Sequence, residues 1–220
     1  NLKRIKMKKI LILLLCLLPF SAFAEEEKKS FFGADLDITA GVSSDYIFRG
    51  YNQNGGHLAV NGGAEASGRV GVVEVFGGIW ASQVDYDDDT TYEYDLYAGG
   101  NIDITDNISI EGIFTRFGYD GTVLSDIDEV EGTVSAYGLF GTYSVNINNT
   151  EEDFYKFGYK LHIHNGIVDL LDHIVVGIEY GKSWNLSEYQ AVTLEKQVGK
   201  FTVGGNIGTK AQAINITYEF

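Results

Sequence analysis

The sequence predicts an all-β protein, a closed antiparallel transmembrane β-barrel of about 12 strands, with roughly 10–14 possible. Three observations predict it. Segments of strand length alternate apolar and polar residues almost throughout the chain past Glu25. Pro19 is the only proline of the 220 residues and lies before that point; proline removes a ladder hydrogen bond and is confined to edges and bulges, so its absence suits a sheet without an edge. The chain stops on an alternating strand, with Ile214, Ile216, Tyr218 and Phe220 on one face and Asn215, Thr217 and Glu219 on the other. A soluble sandwich ending by chance on an aromatic is the competing reading, and the leader, the missing proline and the strand count weigh against it.

Residues 1–24 read as a cleaved signal peptide. Lys3, Arg4, Lys6, Lys8 and Lys9 precede an apolar run from Ile10 to Leu18, and Ser21-Ala22-Phe23-Ala24 supplies a small-residue end before Glu25. The run is short for a membrane-spanning helix of about 20 residues, which makes an uncleaved anchor the weaker alternative. Residues 25–34 then form a short periplasmic arm and 35–220 the barrel. The exported part carries eleven bases against 31 acids, a net charge of −20, and no cysteine, since Cys16 lies in the leader. That balance, without a basic patch, argues against nucleic acid. An aromatic content of 13% is too high for acidic disorder.

The first strand is expected over residues 36–50. Leu36, Ile38, Ala40, Val42, Ser44, Tyr46 and Phe48 make an apolar, aromatic-ended face; Asp37, Thr39, Gly41, Ser43, Asp45 and Arg49 make the polar one. Only Ile47 breaks the pattern. A turn over 51–56 leads to the alternating residues 58–67. Residues 72–84 are apolar on both faces and leave in and out unassigned. Tyr92, Tyr94, Leu96, Ala98, Gly100 and Ile102 alternate with Glu93, Asp95, Tyr97, Gly99 and Asn101. Further strands are expected from Ile108, across 128–147, and over 154–163, 173–181, 188–196, 200–208 and 211–220. The connections fall into phase. Those near 51–56, 85–91, 119–127, 148–153 and 182–187 are mostly long and include acidic loops. Those near 68–71, 103–107, 136–138 and 197–199 are short. The connection 164–172 is too long and apolar for this scheme.

Ser44-Asp45-Tyr46-Ile47-Phe48-Arg49-Gly50, followed by Gln53, resembles the opening motif of a bacterial family of outer-membrane proteins with a provisional porin label, called Gcw_chp or the TorF family. Gly78-Ile79-Trp80-Ala81-Ser82 resembles its second motif, and Glu93-Tyr94-Asp95-Leu96-Tyr97-Ala98-Gly99 its third. The resemblance implies a small outer-membrane barrel. It implies no substrate and no catalytic residue.

Charged side chains facing lipid cost about 2–4 kcal/mol for a base at the midplane, so Asp37, Asp45, Arg49, Glu65, Glu93 and Asp95 are the pore-lining candidates. Asp45 and Arg49 are expected on one strand face, in one network at the outer mouth. The predicted function is a porin-like channel for small solutes or ions, weakly preferring cations, with no cofactor and no enzymatic activity. A closed structural or adhesive barrel is the alternative, and a lipid-modifying enzyme a weaker one. About 12 strands lie between barrels that fill themselves and wide porins, so the width alone does not decide. His162 and His164 share a face, but two ligands are too few for a metal site. Asp85, Asp87, Asp88 and Asp89 form an oxygen-rich loop, a weak candidate for a divalent cation that lacks EF-hand spacing. The expected partners are outer-membrane lipid and lipopolysaccharide, the barrel-assembly machinery through Phe220, and the passing solutes.

Overall fold

The computed structural model describes residues 30–31, 34–148, 153–163, 173–183 and 187–220. The proposed leader, the connection 164–172 and His164 lie outside them. The described strands are β1 (Ser30–Phe31), β2 (Ala34–Ser43), β3 (Ile47–Phe48), β4 (Tyr51–Asn52), β5 (Ala59–Val70), β6 (Val73–Gln83), β7 (Tyr92–Thr105), β8 (Ile108–Tyr119), β9 (Ile127–Ala136), β10 (Leu139–Asn146), β11 (Phe154–Ile163), β12 (Ile174–Ser183), β13 (Tyr189–Val198), β14 (Phe201–Gly208) and β15 (Gln212–Glu219).

Strands β5 to β15 pair antiparallel in chain order, and β2 pairs with both β5 and β15. Twelve strands thus close into a barrel without an edge, as the alternation predicts. The seam is completed at the chain terminus, where the Phe220 amide donates to the Ile38 carbonyl at 3.0 Å. With about 4.8 Å between strands and a tilt of about 40°, the backbone cylinder is roughly 24 Å across.

The pairing register separates the two faces. Asp37 pairs with Glu65, Glu65 with Gly78, Gly78 with Tyr97, Tyr97 with Thr115, and Thr115 with Glu129. Cross-strand partners point to the same side of a sheet, so this row shares one face. It is the lumen face. Between these positions the chain points outward with Ile79, Leu96, Phe114, Val130, Phe157, Ile178 and Val192, all exposed and apolar. A single barrel has no second layer to cover that belt, which has the character that a lipid-facing surface requires. Aromatic residues flank the belt. Phe201, Tyr218 and Phe220 pack ring to ring at 4.9 and 4.8 Å at the end holding the termini, and Phe157 meets Tyr180 at 5.1 Å toward the other end. Strand β6, ambiguous in sequence, resolves the same way, with Phe76, Trp80 and Ser82 inward and Ile79 outward.

Among the described residues the turns at the terminal end are tight. Gly71, Gly138 and Gly199 take left-handed conformations there. The opposite end carries long connections, and the first of these differs from the expected strand. β2 stops at Ser43, not near Gly50. Residues 44–58 turn away from the wall, and β3 and β4 form a small hairpin pairing Ile47 with Asn52 and Phe48 with Tyr51. Tyr46 and Phe48 therefore do not continue the lipid face. The cause is local. Ser44 makes the last ladder contacts, with its amide donating to the Ile214 carbonyl and its Oγ accepting from the Ile214 amide. Beyond it, side-chain acceptors replace the ladder. Asn54 Oδ1 takes the Tyr46 amide at 2.9 Å and Asn52 Oδ1 the Asn54 amide at 2.9 Å. Ile47, which broke the sequence alternation, belongs to this hairpin.

Candidate functional site

The hairpin enters the lumen at the loop end and meets the wall. Its two tip residues, Arg49 and Gly50, have φ of 48° and 79°. Two positive-φ residues between paired strand positions make a type I′ turn, whose twist suits a two-residue hairpin. Gly50 lies against Tyr189 of β13, where a Cβ would clash with the ring's Cγ. The same ring also lies against Gly181 of β12, and its hydroxyl donates to Glu179 at 3.0 Å. The Arg49 guanidinium donates to Glu129 Oε1 of β9 at 2.5 Å and lies over the Phe154 ring of β11, 4.2 Å from its centroid. It is also 4.8 Å from the Phe48 ring, which in turn meets Phe117 of β8 at 5.6 Å. Phe154 and Tyr189 are buried and stacked. One hairpin thus touches strands β8, β9, β11 and β13.

The root of the hairpin is tied as tightly. Tyr46 packs on Trp80 at 5.3 Å and donates to Glu93 Oε1 at 2.7 Å. The Tyr86 hydroxyl, from the 84–91 connection, has one proton to share between two acceptors, Glu93 Oε2 at 3.2 Å and Gln53 Oε1 at 3.0 Å. Glu93 is buried. Asn52 donates from Nδ2 to Asp45, and burial pushes the Asp45 carboxyl above the usual carboxylate range.

The six candidate residues are therefore distributed as follows. Glu93 and Asp95 face the lumen side by side near the loop end; Oδ1 of Asp95 is buried without a hydrogen-bond partner among the described residues. Glu65 faces the lumen further down and accepts from the Tyr97 hydroxyl at 3.0 Å. Asp37 lies opposite it, toward the terminal end. Asp45 and Arg49 belong to the hairpin rather than to a wall strand, and the expected network between them is not formed. Asp45 bonds to Asn52, whereas Arg49 crosses to Glu129, because the chain folds back between them. Glu129, Phe154 and Tyr189 escaped the sequence reading. Their strands alternate clearly, but nothing in the sequence marks which inward residues meet the hairpin tip.

A cavity of about 220 Å³ lies beside Arg49, lined also by Glu129, Glu131, Lys156 and Glu179. A second, of about 290 Å³, lies toward the terminal end by His162, His173 and Glu195. The lumen face is acidic along its length. Asp37, Glu65, Glu74, Glu93, Asp95, Glu111, Glu129, Glu131, Glu179 and Glu195 are among the acids that line it, against Arg69, Lys156 and Lys160 on the wall and Arg49 on the hairpin.

The four carboxylates of the acidic loop are engaged separately. Asp85 faces His57 at 3.3 Å, Asp87 takes the left-handed turn position, and Asp88 accepts the Thr90 amide at 2.7 Å. Asp89 reaches the next connection and accepts from the Thr122 amide and hydroxyl, the latter at 2.7 Å. Asp120 returns the contact, accepting from the Thr91 amide and hydroxyl and the Tyr92 amide. These hydrogen bonds hold both carboxyls below their usual range. Among the described residues no group of three or more His, Cys, Asp or Glu side chains is set to hold a metal ion.

Residues 27–208 match the family model described as "Bacterial protein of unknown function (Gcw_chp)". The chain belongs to the Gcw_chp family. That description assigns no function, so it does not carry the porin label that the resemblance implied. No curated protein matches this Gcw_chp chain. Among solved structures, it is similar to the KdgM porin at 12% identity, covering 84% of this chain and 98% of that one with a TM-score of 0.45. A mutant of the Rh. blastica porin matches at 15% identity and a TM-score of 0.39, over 73% of this chain and 55% of that one. The three motifs of the Gcw_chp resemblance meet in space. The first forms the hairpin and its root, the second supplies Trp80 and the third Glu93, and Tyr46 touches both. Motifs separated along the chain thus build one joint where the hairpin leaves the wall.

Proposed function

We propose that this protein is an outer-membrane channel that passes small solutes or ions with a preference for cations, through a lumen narrowed by the 44–58 hairpin. The observation that carries the reading is the acid-dominated lumen face inside a closed apolar wall. Fixed carboxylates in a narrow, low-dielectric passage concentrate cations and repel anions. Side chains from opposite walls reduce a cylinder of roughly 24 Å to an aperture of about half that, and the hairpin fills much of it at the loop end.

In this reading residues 1–24 direct export and are removed, and the termini and tight turns face the periplasm. Phe220 presents the last strand to the assembly machinery. Arg116 and Lys182, on the lipid face toward the loop end, meet lipopolysaccharide phosphates. The protein acts as a passage rather than as an enzyme. The docked hairpin also favours a second reading, a barrel closed at rest.

Reversal potentials under a salt gradient in planar bilayers test the proposal. A cation-selective wild type is expected, with selectivity that weakens when Glu131 and Glu179 are both replaced by Gln. Anion selectivity would overturn it, and the absence of any conductance would leave the closed barrel.

A further inference from the structure

We propose that the wall socket holding Arg49 is a binding site for small guanidinium or ammonium solutes, and that the hairpin seats its own cation there as a tethered competitor. The socket belongs to the wall. Glu129 supplies a buried carboxylate from β9, Phe154 a buried aromatic face from β11, and Tyr189 the floor from β13. A carboxylate beside an aromatic face is the combination that holds an organic cation, by charge-assisted hydrogen bonding and cation–π attraction. Arg49 shows the socket occupied, with its guanidinium on the carboxylate and over the ring.

Two further features set the site apart from an ordinary structural ion pair. The adjoining cavity of about 220 Å³ brings Glu131 and Glu179 to the same place against the one lysine Lys156. When Arg49 withdraws, three carboxylates therefore face a single fixed cation. The second feature is the turn. Type I′ turns favour Asn, Asp and Gly at their left-handed positions. Arg49 sits at the first of them with φ 48°, a conformation L side chains seldom adopt. Its presence there is explained by what its guanidinium reaches, not by the needs of the turn.

The consequence for passage rests on the channel reading above, whereas the binding does not. A free cation that takes the socket removes the ionic anchor of the hairpin tip, leaving the Phe48–Phe117 and Gly50–Tyr189 contacts and the root contacts at Trp80 and Glu93, and so loosens the hairpin's hold on the mouth.

The test uses the full barrel in detergent, with methylguanidinium as probe and sodium chloride at equal ionic strength as control. Calorimetric titration of Arg49→Asn, which keeps a residue tolerant of the left-handed turn and empties the socket, is expected to show binding at least tenfold tighter than wild type. Adding Glu129→Gln to that variant is expected to abolish it. Equal affinity in wild type and Arg49→Asn, or binding that survives Glu129→Gln, would overturn the proposal. Hydrogen exchange on the wild type needs no variant. Methylguanidinium is expected to speed exchange across 44–58 at least threefold over sodium chloride, and unchanged exchange would overturn the proposal whether or not Arg49→Asn assembles. Binding without conductance would instead refute only the channel reading.

Discussion

Replacing Glu129 by Gln isolates the contact that holds the hairpin tip. The side chains of Arg49 and Glu129 are 15% and 5% exposed, so the pair is largely withdrawn from water. Removing one partner of a buried pair costs about 3–5 kcal/mol, chiefly because the other charge is left uncompensated. Gln still accepts a hydrogen bond, which returns about 1 kcal/mol. The net loss is about 2–4 kcal/mol of docking free energy, a factor of roughly 30–800 in the undocked population. Limited trypsin digestion of the folded barrel reads that population directly, because cleavage after Arg49 requires the tip to leave the wall. Where opening is fast relative to cleavage, the rate follows the open fraction. Glu129→Gln is therefore expected to speed the cut at Arg49 by roughly one and a half to three orders of magnitude. The cut at Arg69, near the tight turn at the other end, serves as the internal control and is expected to be unchanged. A heat-modifiable band on a detergent gel confirms that the barrel itself persists. An increase below threefold at Arg49 would show that the pair does not hold the hairpin.

The reciprocal contacts of Asp89 with Thr122 and of Asp120 with Thr91 give a pH dependence at the loop end. Both carboxyls are depressed in the folded protein, so their contribution is present above the unfolded value of about 3.9 and is lost as pH falls through the folded values. Amide exchange at Thr91, Tyr92 and Thr122, corrected for its intrinsic rate, should stay protected at pH 5 and lose protection only below about pH 4; loss already at pH 6 would refute the latch. On the wall, Ile178→Arg on the exposed apolar belt should cost about 2–4 kcal/mol in refolding measurements from urea into bilayers, whereas Thr193→Arg on the lumen face should cost under about 1 kcal/mol. Equal penalties would mean that the faces are wrongly assigned. Deleting Phe220 removes its ring contact with Tyr218 and the closing hydrogen bond to Ile38. Export should be preserved and the heat-modifiable form reduced, and undiminished assembly would count against a role for the terminal aromatic.

The sequence by itself determined the barrel. In β7, Tyr92, Tyr94 and Leu96 against Glu93, Asp95 and Tyr97 leave one solution, since a period of two assigns every side chain to a face and a one-residue slip would put carboxylates into lipid. The same rule located β11 to β15 to within a residue or two, and the phase of long and short connections separated the two ends. It misjudged residues 44–50. Their alternation continues that of β2, but alternation describes a strand only while a partner supplies the ladder, and beyond Ser44 the side chains of Asn52 and Asn54 supply the acceptors instead. Ile47 was the one local sign of the break. The tertiary structure alone decided which inward residues meet. Arg49 and Glu129 are 80 positions apart and are joined because a hairpin from the first connection crosses the lumen to β9. No periodicity encodes that distance. It follows from barrel closure, which brings β8, β9, β11 and β13 around the hairpin tip, and from the bare Gly50 backbone, which lets the tip lie against Tyr189.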